Sequence, residues 1–215
     1  MQTGGAADTL HAAVRGLNQR RQSFLPMIRK NPMSEEIFHA LTRQYPNARL
    51  TATDQPLPEA DFEAQKHKHF SRRARGGAIG IIHNASGQIV LTKRSGMHAG
   101  WSLPGGTVEE AEDFLVAFRR EISEEIGVSL DRVDLIELER KKFISPKGET
   151  FDFLLAVFEA RIAERQLPGP TDDALAEGLE IDLFYPADIP PEMILGDRQK
   201  LVHHLKISEG RNPSL

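Results

Sequence analysis

Two linked segments decide the fold: Gly105-Gly106-Thr107-Val108-Glu109-Glu110-Ala111-Glu112 and, after seven intervening residues, Arg120-Glu121-Ile122-Ser123-Glu124-Glu125-Ile126-Gly127-Val128. The apolar spacing predicts a helix over Asp113–Ile126, with Asp113 able to cap its start and Gly127 placed to close it in the left-handed conformation. At about 100° per residue, with Glu121 at zero, Glu125 lies near +40° and Glu124 near −60°, so three carboxylates share one face. Leu115, Phe118, Ile122 and Ile126 fall at about +60° to +140°, so the apolar stripe that must meet a core runs beside the acids. Like charges at i,i+3 and i,i+4 cost a few tenths of a kcal/mol per pair, and partial burial raises that cost. Arg120 can reach Glu124 at i,i+4, yet the cluster stays net negative. A divalent cation resolves it, and an all-oxygen donor set suits Mg²⁺ or Mn²⁺.

Immediately upstream, Pro104-Gly105-Gly106 lets backbone approach a ligand without side-chain clash. Taken singly, a Glu-rich helix face is commonly solvated and a Gly-Gly pair is commonly a turn. Their conjunction at this spacing carries the argument.

Farther out, Ala78–His83 and Gln88–Lys93 read as short strands joined by the turn Asn84–Gly87. Val133–Ile144 and Phe151–Ala160 read as longer strands around Ser145–Gly148. Phe151–Phe158 is apolar on both faces apart from Asp152, which predicts a central position in the sheet. A strand near Ile181–Tyr185 and a helix near Gly196–Ile207, with Leu201, Val202 and Leu205 on one side, complete an α/β (α+β) sandwich. Residues 1–75 read as a partly helical extension ahead of a 76–215 domain. In it, Leu10, Val14 and Leu17 recur at helical spacing, and Ser34 is positioned to cap a short helix. Asn47–Phe62 reads as a connecting loop, and the basic run from Gln65 to Arg75 as a solvated strap.

Composition narrows the chemistry. The 215 residues carry 27 basic and 31 acidic side chains, a net charge of −4, so no nucleic-acid footprint is present and none is expected as a partner. With no cysteine, thiol catalysis, disulfides and Cys-ligated metals are excluded. No apolar run approaches the roughly 18 residues of a membrane helix, and a cytoplasmic protein is expected. His83, His98, His203 and His204 read as isolated histidines, and no Gly-x-Ser-x-Gly elbow occurs.

The spacing Gly106-x5-Glu112-x7-Arg120-Glu121-Ile122-x-Glu124-Glu125-x-Gly127-Val128 resembles the Nudix box at every specified position, across 23 residues. Trp101-Ser102-Leu103-Pro104 resembles the lead-in common in that family, and Ala111 departs from the Gly many members carry. The resemblance implies an α/β/α sandwich with a mixed sheet. It also implies a Mg²⁺-dependent hydrolase that splits a nucleoside diphosphate linked to another group X into nucleoside monophosphate and phosphorylated X. By the same resemblance Glu121, Glu124 and Glu125 are metal ligands, Glu121 doubling as general base. Gly105 lends its carbonyl to metal, Arg120 orients the glutamates, and Glu112 braces the loop or reaches metal through water. Relatives often add one further acid near the end of the sheet, for which Glu177 and Glu180 are the candidates. Arg94, following a strand, is expected to contact a substrate phosphate. Trp101 is expected under the Gly-Gly loop. ADP-ribose-like compounds or nucleotide sugars are the first substrate expectation, with Pro146 placed where a proline accompanies ADP-ribose hydrolysis, and nucleoside triphosphates are second. Nudix enzymes are often homodimers, so the N-terminal arm is expected to pack either on its own core or on a second subunit. The rival reading is a catalytically silent nucleotide-sensing module, against which stand all four box glutamates.

Overall fold

In chain order the elements are α1 (Pro32–Gln44), β1 (Arg49–Pro56), α2 (Glu59–Ser71), β2 (Gly76–His83), β3 (Ile89–Arg94), β4 (Trp101–Ser102) and β5 (Gly105–Val108). They continue with α3 (Phe114–Ile126), β6 (Leu130–Ile144), β7 (Thr150–Ile162), α4 (Asp172–Ala176), β8 (Leu179–Phe184) and α5 (Leu195–Gly210). This computed structural model describes residues 32–71, 74, 76–94, 100–163 and 166–210. Leu10, Val14, Leu17, His98, Arg72, Arg73 and Arg75 lie outside the described residues.

The eight strands form one mixed sheet in the order β1-β6-β7-β2-β3-β4, with β5 beside β2 and β8 beside β3. As its largely apolar run predicts, β7 is central, antiparallel to β6 and parallel to β2. The Asn84–Gly87 turn closes the β2–β3 hairpin, but the two strands are in register only at His83 and Ile89. Along Gly76–Ile79, β2 instead pairs with β5. The sheet therefore divides, β7-β2-β5 on one side and β8-β3-β4 on the other. Arg94, the Gly105–Gly106 pair and the carboxylates of Glu121 and Glu125 gather at that division.

The α3 stripe buries Phe114, Phe118, Ile122 and Ile126 on one sheet face, against Ala78, Ile82, Leu154 and Phe158. Phe118 stacks on Phe158 with ring centroids 4.9 Å apart, and truncating such a ring to Ala costs about 3–5 kcal/mol. On the opposite face, Leu201 of α5 packs with Ile81, Ile89, Leu91 and Met193. No described helix is long and apolar enough to cross a membrane.

Several expectations in the first 75 residues are overturned. Helix α1 opens at Pro32, a favoured first-turn residue, so Ser34 lies inside it rather than capping it. Asn47–Phe62 is not a loop: it holds β1, which pairs in parallel with β6 from Arg49↔Glu137 to Pro56↔Ile144, and the first turn of α2. Thr51 Oγ1 donates to Glu137 at 2.9 Å and Thr53 Oγ1 to Glu139 at 2.7 Å, so the polar side chains of β1 satisfy buried carboxylates of β6. Arg49 and Lys200 complete the compensation of both acids, as burial of charge requires. The run read as a solvated strap is largely α2, docked through Phe62 and His69 on Phe143, Phe151 and Phe153.

Candidate active site

Helix α3 is fixed at both ends. Asp113 Oδ1 accepts from the amides of Leu115 and Val116 at 2.8 and 3.4 Å, and Gly127, at φ 69°, donates to the Ser123 carbonyl. Side-chain exposure then follows the helical angle from the apolar stripe: 11% for Glu125, 16% for Glu121 and 59% for Glu124. The acid nearest the core stripe is the most buried.

Across from α3, β5 brings Gly105 and Gly106 against the carboxylates. Gly105 sits at φ 132°, and a Cβ there would lie 2.2 Å from the Ala78 carbonyl oxygen. At Gly106 a Cβ would lie 2.3 Å from the Glu121 carboxyl carbon. The first glycine is required by the β2–β5 pairing, the second by the approach of Glu121.

Arg120 spends its five donors on this scaffold. Nε and Nη2 grip both oxygens of Glu112 at 2.8 and 3.0 Å, Nη1 reaches Glu121 and Glu124 at 3.0 Å each, and Nη2 also bonds the Thr107 carbonyl. The i,i+4 contact with Glu124 is the one its spacing predicts. Glu112 also accepts from the Glu109 amide at 3.1 Å, which pins the 109–112 turn, and its bond to Arg120 holds its carboxyl below the ordinary range.

Arg94, at the end of β3, bonds Glu125, and its other nitrogen reaches Glu177 at 2.9 Å. Burial opposes the charge on Arg94, but these bonds outweigh it and keep the guanidinium protonated. Burial pushes the Glu125 carboxyl upward, partly offset by Arg94 and by a backbone hydrogen bond from Gly105.

Arg94, Gly105, Gly106, Glu121, Glu125 and Glu177 line one cavity of about 820 Å³ at the division of the sheet. Glu112, Glu124 and Glu180 do not line it, and Glu180 instead faces Lys93 at 3.6 Å. Of the two acids considered beyond the box, Glu177 is the one at the cavity. Trp101 is not packed under the Gly-Gly loop; it meets Phe184 edge-on at 5.0 Å and lies under Lys93. Lys68 of α2 also lines the cavity, a placement that its basic run, which in sequence reads as solvated, does not signal. The hard carboxylate cluster, partly buried around two glycines, has the donor chemistry that Mg²⁺ or Mn²⁺ takes.

The family model described as the NUDIX domain matches residues 73–205. Nudix hydrolase 7 of Arabidopsis thaliana is 32% identical over 88 residues, covering 40% of this chain and 31% of that protein. An RNA pyrophosphohydrolase of Shewanella piezotolerans is 39% identical over 56 residues, covering 26% of this chain and 32% of that protein. The matched stretch thus spans about a third of the length of these curated relatives. Among solved structures, a MutT NUDIX hydrolase from Burkholderia pseudomallei aligns at 28% identity over 59% of this chain and 94% of its own, with a TM-score of 0.47.

Proposed function

The chain belongs to the Nudix family, and on that premise we propose that it is a Mg²⁺-dependent pyrophosphohydrolase of nucleoside diphosphates linked to a second group. The observation that carries this reading is the convergence of Glu121, Glu125 and Glu177 with the Gly105–Gly106 backbone in one cavity that also holds two cations, Arg94 and Lys68. Glu121, Glu124, Glu125 and the Gly105 carbonyl are the proposed holders of Mg²⁺ or Mn²⁺, with Glu177 as the additional acid. When bound, the metal neutralises phosphate oxygens and makes water a nucleophile at neutral pH.

The chain's own groups then divide the remaining work. Glu121, held by Arg120, accepts the proton of the attacking water as general base. Water adds to phosphorus, the anhydride P–O bond breaks, and the leaving phosphate departs with the electron pair. Arg94 and Lys68 meet the phosphate charge within the same cavity, and Glu112 keeps Arg120 aimed. ADP-ribose-like molecules and nucleotide sugars are the proposed first class of substrate, nucleoside triphosphates the second. The proposed setting is a cytoplasmic homodimer, with residues 76–215 as the hydrolase domain and β1 and α2 joined to its sheet and core.

The experiment is a substrate panel with and without Mg²⁺, covering ADP-ribose, nucleotide sugars, nucleoside triphosphates and an RNA, because curated relatives include RNA pyrophosphohydrolases. Mg²⁺-dependent release of nucleoside monophosphate from a member of the first class is the expected result. Silence across the panel, with nucleotide binding retained, overturns it in favour of a sensing module.

A further inference from the structure

Two histidines that read as isolated in the sequence meet on the sheet face opposite α3. His83 ends β2 on the same side as Ile81, and Glu159 of β7 is the register partner of Ile81. His204 lies one turn beyond Leu201 on α5, the residue that buries this helix on Ile81. The Glu159 Oε1 atom is 3.8 Å from His83 Nε2 and 3.3 Å from His204 Nε2, and the donor atoms of all three residues lie within 4.8 Å of one another.

We propose that His83, Glu159 and His204 form a second divalent-metal site, taking Zn²⁺ or a neighbouring first-row transition ion through two imidazoles and one carboxylate. Four-coordinate zinc with bonds of about 2.0–2.2 Å separates its ligand atoms by about 3.3–3.6 Å, a range that the Glu159–His204 distance already meets and that the other separations, all within 4.8 Å, approach. His83 Nε2 is buried and makes no hydrogen bond among the described residues, an orphaned nitrogen of the kind folded proteins seldom leave. The ligand set separates this site from the carboxylate cavity: imidazole suits zinc, copper or nickel, whereas all-oxygen sites suit magnesium. Glu159 and His204 also border a cavity of about 510 Å³, which leaves room for water in the fourth position. An ion here would tie the last helix to two central strands.

The probe is Zn²⁺ added to the chelator-stripped full chain in saturating Mg²⁺, which fills the carboxylate cavity. Retention of about one Zn²⁺ per chain is expected in wild type and equally in Glu121→Gln. The melting temperature should rise by about 5–10 °C at a hundredfold excess over Kd. His83→Gln and His204→Gln should each weaken Zn²⁺ binding by at least about a hundredfold, more than loss of an outer-shell partner. Histidine ring NMR on the wild type makes the test independent of how the variants fold: Zn²⁺ must move the His83 and His204 signals. No retained Zn²⁺ in wild type overturns the proposal, as does retention that Glu121→Gln abolishes or ring shifts confined to other histidines.

Discussion

The guanidinium of Arg94, at the end of β3, is bonded to the buried carboxylate of Glu125 on α3, across the line where the sheet divides. A metal ligand of the proposed site is thus held by a competing cation, and its occupation by metal would release Arg94 toward a phosphate. Arg94→Ala should therefore raise KM about tenfold, the worth of one charge-assisted hydrogen bond. The same change should leave Mg²⁺ affinity unchanged or tighter. Steady-state kinetics with a Mg²⁺ titration checks both, and an unchanged KM removes Arg94 from substrate binding.

Glu121→Gln separates stability from catalysis. Gln retains the oxygen that accepts from Arg120 Nη1 and is nearly as good a helix former, while the like-charge pairs with Glu124 and Glu125 disappear. The metal-free melting temperature should hold or rise slightly. Turnover should fall by about 10²–10⁴, the scale of a positioned acid–base group. Activity within a fewfold of wild type at saturating Mg²⁺ would show that Glu121 is not the base.

The adjacent glycines should respond differently to alanine. Gly106→Ala pushes a methyl into the Glu121 carboxylate, the end of a flexible side chain, so the fold should persist while activity drops at least tenfold. Gly105→Ala meets the Ala78 carbonyl and an unfavourable φ, so it should cost about 1–3 kcal/mol from the backbone conformation alone, before the clash is counted. Thermal melts beside activity assays distinguish the two, and equal loss of stability in both would contradict the geometry.

Lys200→Met should destabilise the fold by about 3–5 kcal/mol, because Lys200 bonds the buried carboxylates of both Glu137 and Glu139. Burial alone would raise the Glu139 carboxyl, but Lys200, Lys141 and Thr53 overcome it and hold the group below its ordinary value. A depressed carboxyl stabilises the fold above its unfolded pKa of about 4.3, and that contribution is lost as pH falls through the folded value. The gap in stability between wild type and Lys200→Met should thus be full near pH 7 and shrink below about pH 4. Denaturant melts across that range measure it, and a gap independent of pH would argue that ion pairing with these carboxylates is not what Lys200 contributes.

What could be read in advance divides along physical lines. The caps of α3, the graded burial of its acids, the central place of β7 and the hairpin turns all follow from residues a few positions apart. The polar strand β1 does not, because Thr51 and Thr53 find their acceptors 86 residues away, and locally such a segment looks like loop. Distance in sequence likewise hid the Arg94–Glu125 pair and the placement of Lys68 at the cavity. Glu177 could be nominated beside Glu180, but only the fold distinguishes the acid at the cavity from the one facing Lys93.

The outer strand β1 also sets a problem of timing. It leaves the ribosome well before β6, and at 5–20 residues per second the interval between Thr53 and Glu139 is about 4–17 s. Throughout that interval the segment has no edge to join. A Val- and Ile-rich strand kept waiting so long would be an adhesive surface for other nascent chains. Threonine, aspartate, glutamine and a terminal proline make β1 unattractive until the carboxylates of β6 arrive, so its loop-like composition is what lets it emerge early and dock late.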